Sequence, residues 1–203
     1  MTDQGSKRPH LHAIILAAGS ASRFGSPKQL ATFSGETLLA RAAGTANALC
    51  AHHFCAVIGA NRLLLTPELI RTKAPFTINE HWETGLGSSI AAGIKALPTR
   101  TDGALFWHAD QPLLTAESLG RLVKKWADEP EQVVASVYRE AIGVPVIFPR
   151  RLFAELAQLS PLNGAKKLIE NDRQVVTVRL PEAATDIDTT ADLSALVRDH
   201  DQP

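Results

Sequence analysis

A chain of 203 residues is the size of one domain, and with 45% hydrophobic and 21% charged residues it can bury a full core. Its 21 basic residues balance 21 acidic ones, which excludes a general polyanion-binding surface and with it a nucleic-acid partner. No stretch reaches the roughly 18 consecutive apolar residues of a membrane span, so no membrane partner is expected.

The first ten residues are polar and are expected to form a flexible tail, with a single domain over 11–203. Leu11–Ala17 is a short apolar run, the pattern of a strand buried on both faces. A loop rich in Gly and Ser follows, then a predicted helix over Glu36–Leu49. Strands are predicted at Phe54–Ile58 and Phe76–Asn79, with a short helix over Pro67–Lys73 between them. Ser88–Leu97 reads as helix and Ala104–His108 as a further buried strand. Thr115–Ala127 fits a helix with Thr115 as its N-cap and Ser118 in its first turn. Val133–Tyr138 and Pro145–Phe148 read as strands, Arg150–Leu159 and Ala165–Glu170 as helices, Val175–Arg179 as a strand and Thr190–Val197 as a last helix. Repeated βα units of this size predict an α/β fold with a mostly parallel central sheet covered by helices on both faces. Ligands in such sheets bind outside the carboxyl ends of the strands, which singles out loops 18–28, 79–88, 109–115 and 186–190. The stretch 139–172 alternates less regularly and is expected to lie over the cleft as an acceptor-side subregion. Cys50 and Cys55, the only cysteines, lack metal-site spacing and read as small apolar residues. Low cysteine use and the lack of a signal peptide point to the cytoplasm.

The segment with most chemistry is Leu16-Ala17-Ala18-Gly19-Ser20-Ala21-Ser22-Arg23-Phe24-Gly25-Ser26-Pro27-Lys28. A buried strand runs into a turn where Gly19 allows close backbone approach to a ligand. Ser20 and Ser22 bring hydroxyls, and Arg23 and Lys28 bring two cations, a set able to wrap a triphosphate. It is neither a Walker A loop nor a dinucleotide GxGxxG. A plain surface turn with solvated charges is the competing reading; the position directly after the first buried strand favours a phosphate site.

This loop resembles the signature of the nucleotidyltransferases related to molybdenum-cofactor cytidylyl- and guanylyltransferases. The resemblance implies a Rossmann-like three-layer sandwich of the nucleotide-diphospho-sugar-transferase type, an NTP substrate and Mg²⁺, and it places Gly19, Arg23 and Lys28 on the nucleotide phosphates. Family members with Leu-Ala-Gly-Gly usually take GTP and those with Leu-Ala-Ala-Gly usually take CTP. A methyl beside the base crowds a purine more than a pyrimidine, so Ala17-Ala18 favours CTP.

Asp110 ends the buried run 104–109, and a carboxylate at a strand's carboxyl end beside a phosphate loop is well placed for Mg²⁺. Asp110-Gln111-Pro112 also resembles the form seen in molybdenum-cofactor cytidylyltransferases; an Asp near a proline otherwise reads as a turn former. The segment Asp186-Ile187-Asp188-Thr189-Thr190-Ala191-Asp192 is similar to one in which the family's middle Asp holds the metal, which implies Asp188 as the second ligand, with Asp186 a weaker substitute. Asp188 or Thr190 acting only as a helix cap is the alternative. Gly85-Leu86-Gly87-Ser88-Ser89 opens a helix and is similar to the family's Gly-Met-Gly-Ser-Ser loop, which implies nucleotide contacts for Gly87, Ser88 and Ser89. His81 and His108 are left out of the site.

The nucleotide set is therefore Leu16, Ala17, Ala18, Gly19, Ser20, Arg23, Lys28, Gly87, Ser88, Ser89 and Asp110, with Arg23, Lys28 and Asp110 catalytic. The expected reaction moves CMP from CTP to molybdenum cofactor (molybdopterin), releasing pyrophosphate, with an apo-molybdoenzyme as a partner for the product. The chain departs from the family at Gly143-Val144-Pro145, where Gly-His-Pro is usual, and at Leu162-Asn163, both on the acceptor side. Another phosphorylated acceptor, GTP in place of CTP, and a non-catalytic nucleotide-cofactor carrier therefore stay open.

Overall fold

The computed structural model describes residues 9–160, 164–172 and 175–200. Nine strands and seven helices alternate in chain order: β1 (Leu11–Ala17), β2 (Thr32–Phe33), β3 (Glu36–Thr37), α1 (Leu38–Cys50), β4 (Phe54–Ile58), α2 (Arg62–Arg71), β5 (Phe76–Ile78), α3 (Leu86–Lys95), β6 (Gly103–His108), α4 (Ala116–Asp128), β7 (Val133–Tyr138), β8 (Ala141–Pro149), α5 (Phe153–Leu156), α6 (Lys166–Asn171), β9 (Val175–Arg179) and α7 (Thr190–His200). Seven strands form the central sheet in the order β5-β4-β1-β6-β8-β7-β9, while β2 and β3 make a separate hairpin. β1 pairs in parallel with both β4 and β6, and β8 runs antiparallel to β6 and β7.

The period-two alternation of β1 divides the core. Ala13, Ile15 and Ala17 face one way, joining Leu39, Leu65, Leu122 and Trp126 under α1, α2 and α4. Ile14 and Leu16 face the other, joining Ile90, Phe106, Leu156 and Ile169 under α3, α5 and α6. Helices therefore cover both faces, which makes the expected three-layer sandwich with a mostly parallel sheet.

The structure moves several expected boundaries. The helix expected from Glu36 starts at Leu38, because Ser34 and Gly35 turn the chain at positive φ into the β2–β3 hairpin and Thr37 caps α1 by accepting the Ala40 N–H. α2 begins at Arg62, five residues before Pro67, and tolerates the proline in its interior because the acceptor it leaves unused, the carbonyl of Leu63, belongs to an exposed residue. α3 spans Leu86–Lys95 where Ser88–Leu97 was expected. β8 is nine residues long where four were expected; it forms a hairpin with β7 through Arg139 and Glu140, both at positive φ, with none of the Asn-Gly signals that mark such turns. Thr115 caps α4 as expected, in a reciprocal pair with Ser118. Of the expected tail, 1–8 fall outside the described residues, and the His10 N–H donates to Asp102.

Candidate active site

From β1 the chain steps outward through β4 and β5, then returns to β6 on the other side of β1. That reversal opens a crevice at the carboxyl ends of β1 and β6, the place where open α/β sheets bind ligands. A cavity of about 430 Å³ lies there. Leu16, Ala17, Ala18, Gly19, Ser20, Arg23, Lys28, Ser89, Asp110 and Asp188 all line it, although they come from four separate segments of the chain.

Gly87 and Ser88 are not in its wall. The Ser88 hydroxyl accepts from Asn79 Nδ2 at 2.8 Å and lies within donating distance of the Gly85 carbonyl, so it braces the turn before α3. Gly87 is buried inside the first turn of that helix. Gly85 and Leu86, one step earlier, bring the helix N-terminus to the cavity in their place.

The charged end is a compact network. Lys28 Nζ contacts Asp110 Oδ2 and lies 2.9 Å from Asp188 Oδ1, while Arg23 Nη2 lies 2.8 Å from Asp188 Oδ2. The Lys28 side chain is 14% exposed and that of Arg23 72%. Water therefore screens the Arg23 pair to little net value, while the lysine is held firmly. Burial alone would lower the Lys28 pKa; Asp110 and Asp188 outweigh it, and the ammonium ends above its ordinary value. The hydrogen bond from Lys28, foremost among several causes, holds the Asp188 carboxyl below the usual range.

Backbone contacts explain why Asp188 meets Asp110 across a sequence separation of 78. The Ile187 N–H donates to the Asp110 carbonyl at 2.9 Å, and Gln111, buried, donates from Nε2 to the Ala183 carbonyl at 3.0 Å. Neither Asp188 nor Thr190 caps α7. Thr189 does: its Oγ accepts the Asp192 N–H, and the Asp192 carboxylate accepts the N–H groups of Asp188 and Thr189. The Asp188 side chain is thus left to the cavity. Asp186 lines a neighbouring cleft, and partial burial, then the charges of Asp110 and Asp188, raise its carboxyl above the ordinary range.

Gln29, Trp82 and Glu83, which sequence reasoning missed, also line the cavity, as does His108, which it left out of the site. Gln29 is buried and donates from Nε2 to the carbonyls of Ala17 and Gly19, at 3.1 and 3.0 Å, which pins the first turn of the loop after β1. A signal existed, since Gln29 is a polar residue directly beside Lys28 in the same short turn. A Cβ placed on Gly19 would meet nothing within 4 Å, so the glycine faces open space, as a close ligand approach requires. Gly143 and Val144 lie in β8, and Leu162 and Asn163 are outside the described residues.

The donor set suits a hard divalent cation. Asp110 and Asp188 already converge on one positive group, the Lys28 ammonium. Among the described residues no group of three or more His, Cys, Asp or Glu is arranged to hold a metal alone. Two carboxylates completed by phosphate oxygens and water are the usual complement for Mg²⁺ in phosphoryl-transfer sites.

The profile of the MobA-like NTP transferase domain family matches residues 13–177. Nicotine blue oxidoreductase of Paenarthrobacter nicotinovorans is 31% identical over 131 residues, covering 64% of this chain and 63% of that protein. The chain thus matches less than two thirds of that relative's length. Among solved structures, the Rv0371c protein of Mycobacterium tuberculosis H37Rv aligns with a TM-score of 0.79 at 22% identity, over 95% of this chain and 100% of that one, and has also been solved in complex with manganese. Molybdopterin-guanine dinucleotide biosynthesis protein A of Archaeoglobus fulgidus aligns with a TM-score of 0.73 at 15% identity, over 93% and 98% of the two chains.

Proposed function

The chain belongs to the MobA-like NTP transferase domain family, and from that premise we propose that it transfers CMP from CTP to a phosphorylated acceptor, molybdenum cofactor in first place, with release of pyrophosphate. The observation that carries the reading is the gathering of Arg23, Lys28, Asp110 and Asp188 at one end of the crevice beside the Gly19–Ser20 turn. In the reaction an acceptor phosphate oxygen attacks the α-phosphorus of CTP. The bond from that phosphorus to the bridging oxygen breaks, and pyrophosphate leaves with the electron pair. The acceptor is already ionised at neutral pH, so the chain needs no general base, and its work is positioning and charge neutralisation.

Lys28 and Arg23 hold the β- and γ-phosphates, the Gly19–Ser20 turn brings backbone N–H groups to them, and Ser89 faces the nucleotide from the start of α3. Asp110 and Asp188 would hold Mg²⁺, which supplies charge neutralisation to the reacting phosphates. The manganese complex of the mycobacterial relative supports a divalent cation on this scaffold. Ala17 and Ala18 favour CTP over GTP. The acceptor rests on the similarity to molybdopterin nucleotidyltransferases, with an apo-molybdoenzyme as the recipient of the product.

A second reading follows from nicotine blue oxidoreductase, which makes an oxidoreductase on the same scaffold the alternative. One experiment separates them: pyrophosphate release from each of the four NTPs with Mg²⁺, with and without molybdenum cofactor, run beside an assay of redox turnover of nicotine blue. Release with CTP only when molybdenum cofactor is present is expected. Redox turnover of nicotine blue without any pyrophosphate release sinks the transferase reading.

A further inference from the structure

We propose that Trp82 is the aromatic wall of the nucleobase subsite, seated by Gly59 and Ala18, and so sets which base the cavity accepts; the inference rests on the nucleotide reading above. Trp82 lines the same cavity as the charged network but packs on Gly59 at the end of β4. Gly59 directly follows β4, Asp110 lies two residues past β6, and β1 stands between those strands. Two strand spacings of about 4.8 Å separate the ends by roughly 10 Å. That is about the span from the reacting phosphates of a nucleotide, across its ribose, to its base.

The seat is built. A Cβ on Gly59 would lie 2.6 Å from Trp82 Cβ, 2.9 Å from its Cγ and 3.0 Å from Ala18 Cβ, so only glycine lets the indole settle there. The Ala60 N–H donates to the Ala18 carbonyl at 3.1 Å and the Asn79 N–H to the Ile58 carbonyl at 2.8 Å, which fixes both loops around the ring. The Ala18 methyl is buried against this seat and acts as a spacer beneath the ring. A bulkier seat narrows the slot, and this is how a loop alanine acts on base choice: through Trp82. A flat aromatic face at this distance from the phosphate end is placed for a base to stack on; stacking is strong but favours no base, so the discrimination comes from the width of the slot that the seat sets.

Trp107 and Trp126 are each 1% exposed, so nucleotide-dependent changes in tryptophan emission report Trp82. The test pairs that emission with calorimetric affinity for CTP and for inorganic tripolyphosphate, which carries the charges but no base. CTP is expected to quench the emission, and tripolyphosphate to bind without quenching. Trp82→Leu should weaken CTP by about 10- to 100-fold and leave tripolyphosphate unchanged, with Trp82→Phe recovering most of the loss. Gly59→Ala, which displaces the ring without touching ligand, should raise the KM for CTP more than it lowers kcat and narrow the preference of CTP over GTP. Unquenched CTP binding with an affinity that Trp82→Leu does not alter overturns the inference and leaves the proposed function standing. Binding of neither CTP nor tripolyphosphate to the wild-type chain overturns both.

Discussion

Lys28 carries the largest expected single-residue effect. It is the least exposed cation of the site and touches both carboxylates. Lys28→Ala should cut kcat by about 10²–10³, the loss associated with one charge-stabilising donor, while the fold persists; near-wild-type turnover in pyrophosphate release would remove it from the chemistry. Asp188→Asn should raise the Mg²⁺ concentration needed for half-maximal rate, because one hard anionic ligand is lost; an unchanged metal dependence would return Asp188 to a purely structural role. A separate prediction concerns His12 in β1, whose pKa burial, helped by His53, lowers from the ordinary 6.5 to about 4. Between those values the unfolded chain binds a proton that the folded chain does not, so stability falls as pH drops from about 6.5 to about 4. Urea midpoints should decline over that window and decline less in His12→Leu; parallel curves for the two proteins would refute the assignment. Residue types in local loops were legible in the sequence, which is why Gly19, Arg23, Lys28 and Asp110 could be named from their own neighbourhoods. Trp82 was not, because its importance depends on Gly59 and Ala18, which only the pairing of β1 with β4 brings to it.

At the scale of elements, close packing decides more than propensity. Gly103 opens β6 directly beneath the Trp126 indole of α4, and an added Cβ would sit 2.7 Å from its Cε2. Gly103→Ala should therefore cost about 1–3 kcal/mol by overpacking, read as a lower urea midpoint at unchanged slope. Stability equal to wild type would mean that the α4–β6 contact is looser than described. β1, β4 and β7 have the limits their apolar runs predicted, because strands buried within a covered sheet show themselves as continuous hydrophobic segments, and β9, a half-exposed edge strand, has its predicted limits as well. The β2–β3 hairpin, the early start of α2 and the full length of β8 escaped. The first is two residues per strand, the second runs through a proline that sequence reasoning places at a helix start, and the third begins at a turn without glycine or asparagine.

Across the whole molecule, topology builds the site. Placing β4 and β6 on either side of β1 gathers an aromatic end and a charged end in one crevice. The 186–188 segment, tied to Asp110 through Ile187, adds the second carboxylate from near the far end of the described chain. Such a join across the sequence is legible only where a motif carries it, as the Asp-Ile-Asp-Thr run does. The stretch proposed as the acceptor side offers no comparable join: Val144 stands in β8 where similar cytidylyltransferases often have histidine, so the proposed acceptor is to be read by chemistry.

The most direct test follows the transferred group itself. CTP radiolabelled at the α-phosphate would be incubated with the protein, Mg²⁺ and molybdenum cofactor, and the label followed into product alongside pyrophosphate. The proposed reaction predicts one labelled CMP in the acceptor for each pyrophosphate released, with both lost together in Lys28→Ala. CTP that binds tightly but never passes its label to this or any other phosphorylated acceptor would contradict it, and would make the chain a nucleotide carrier.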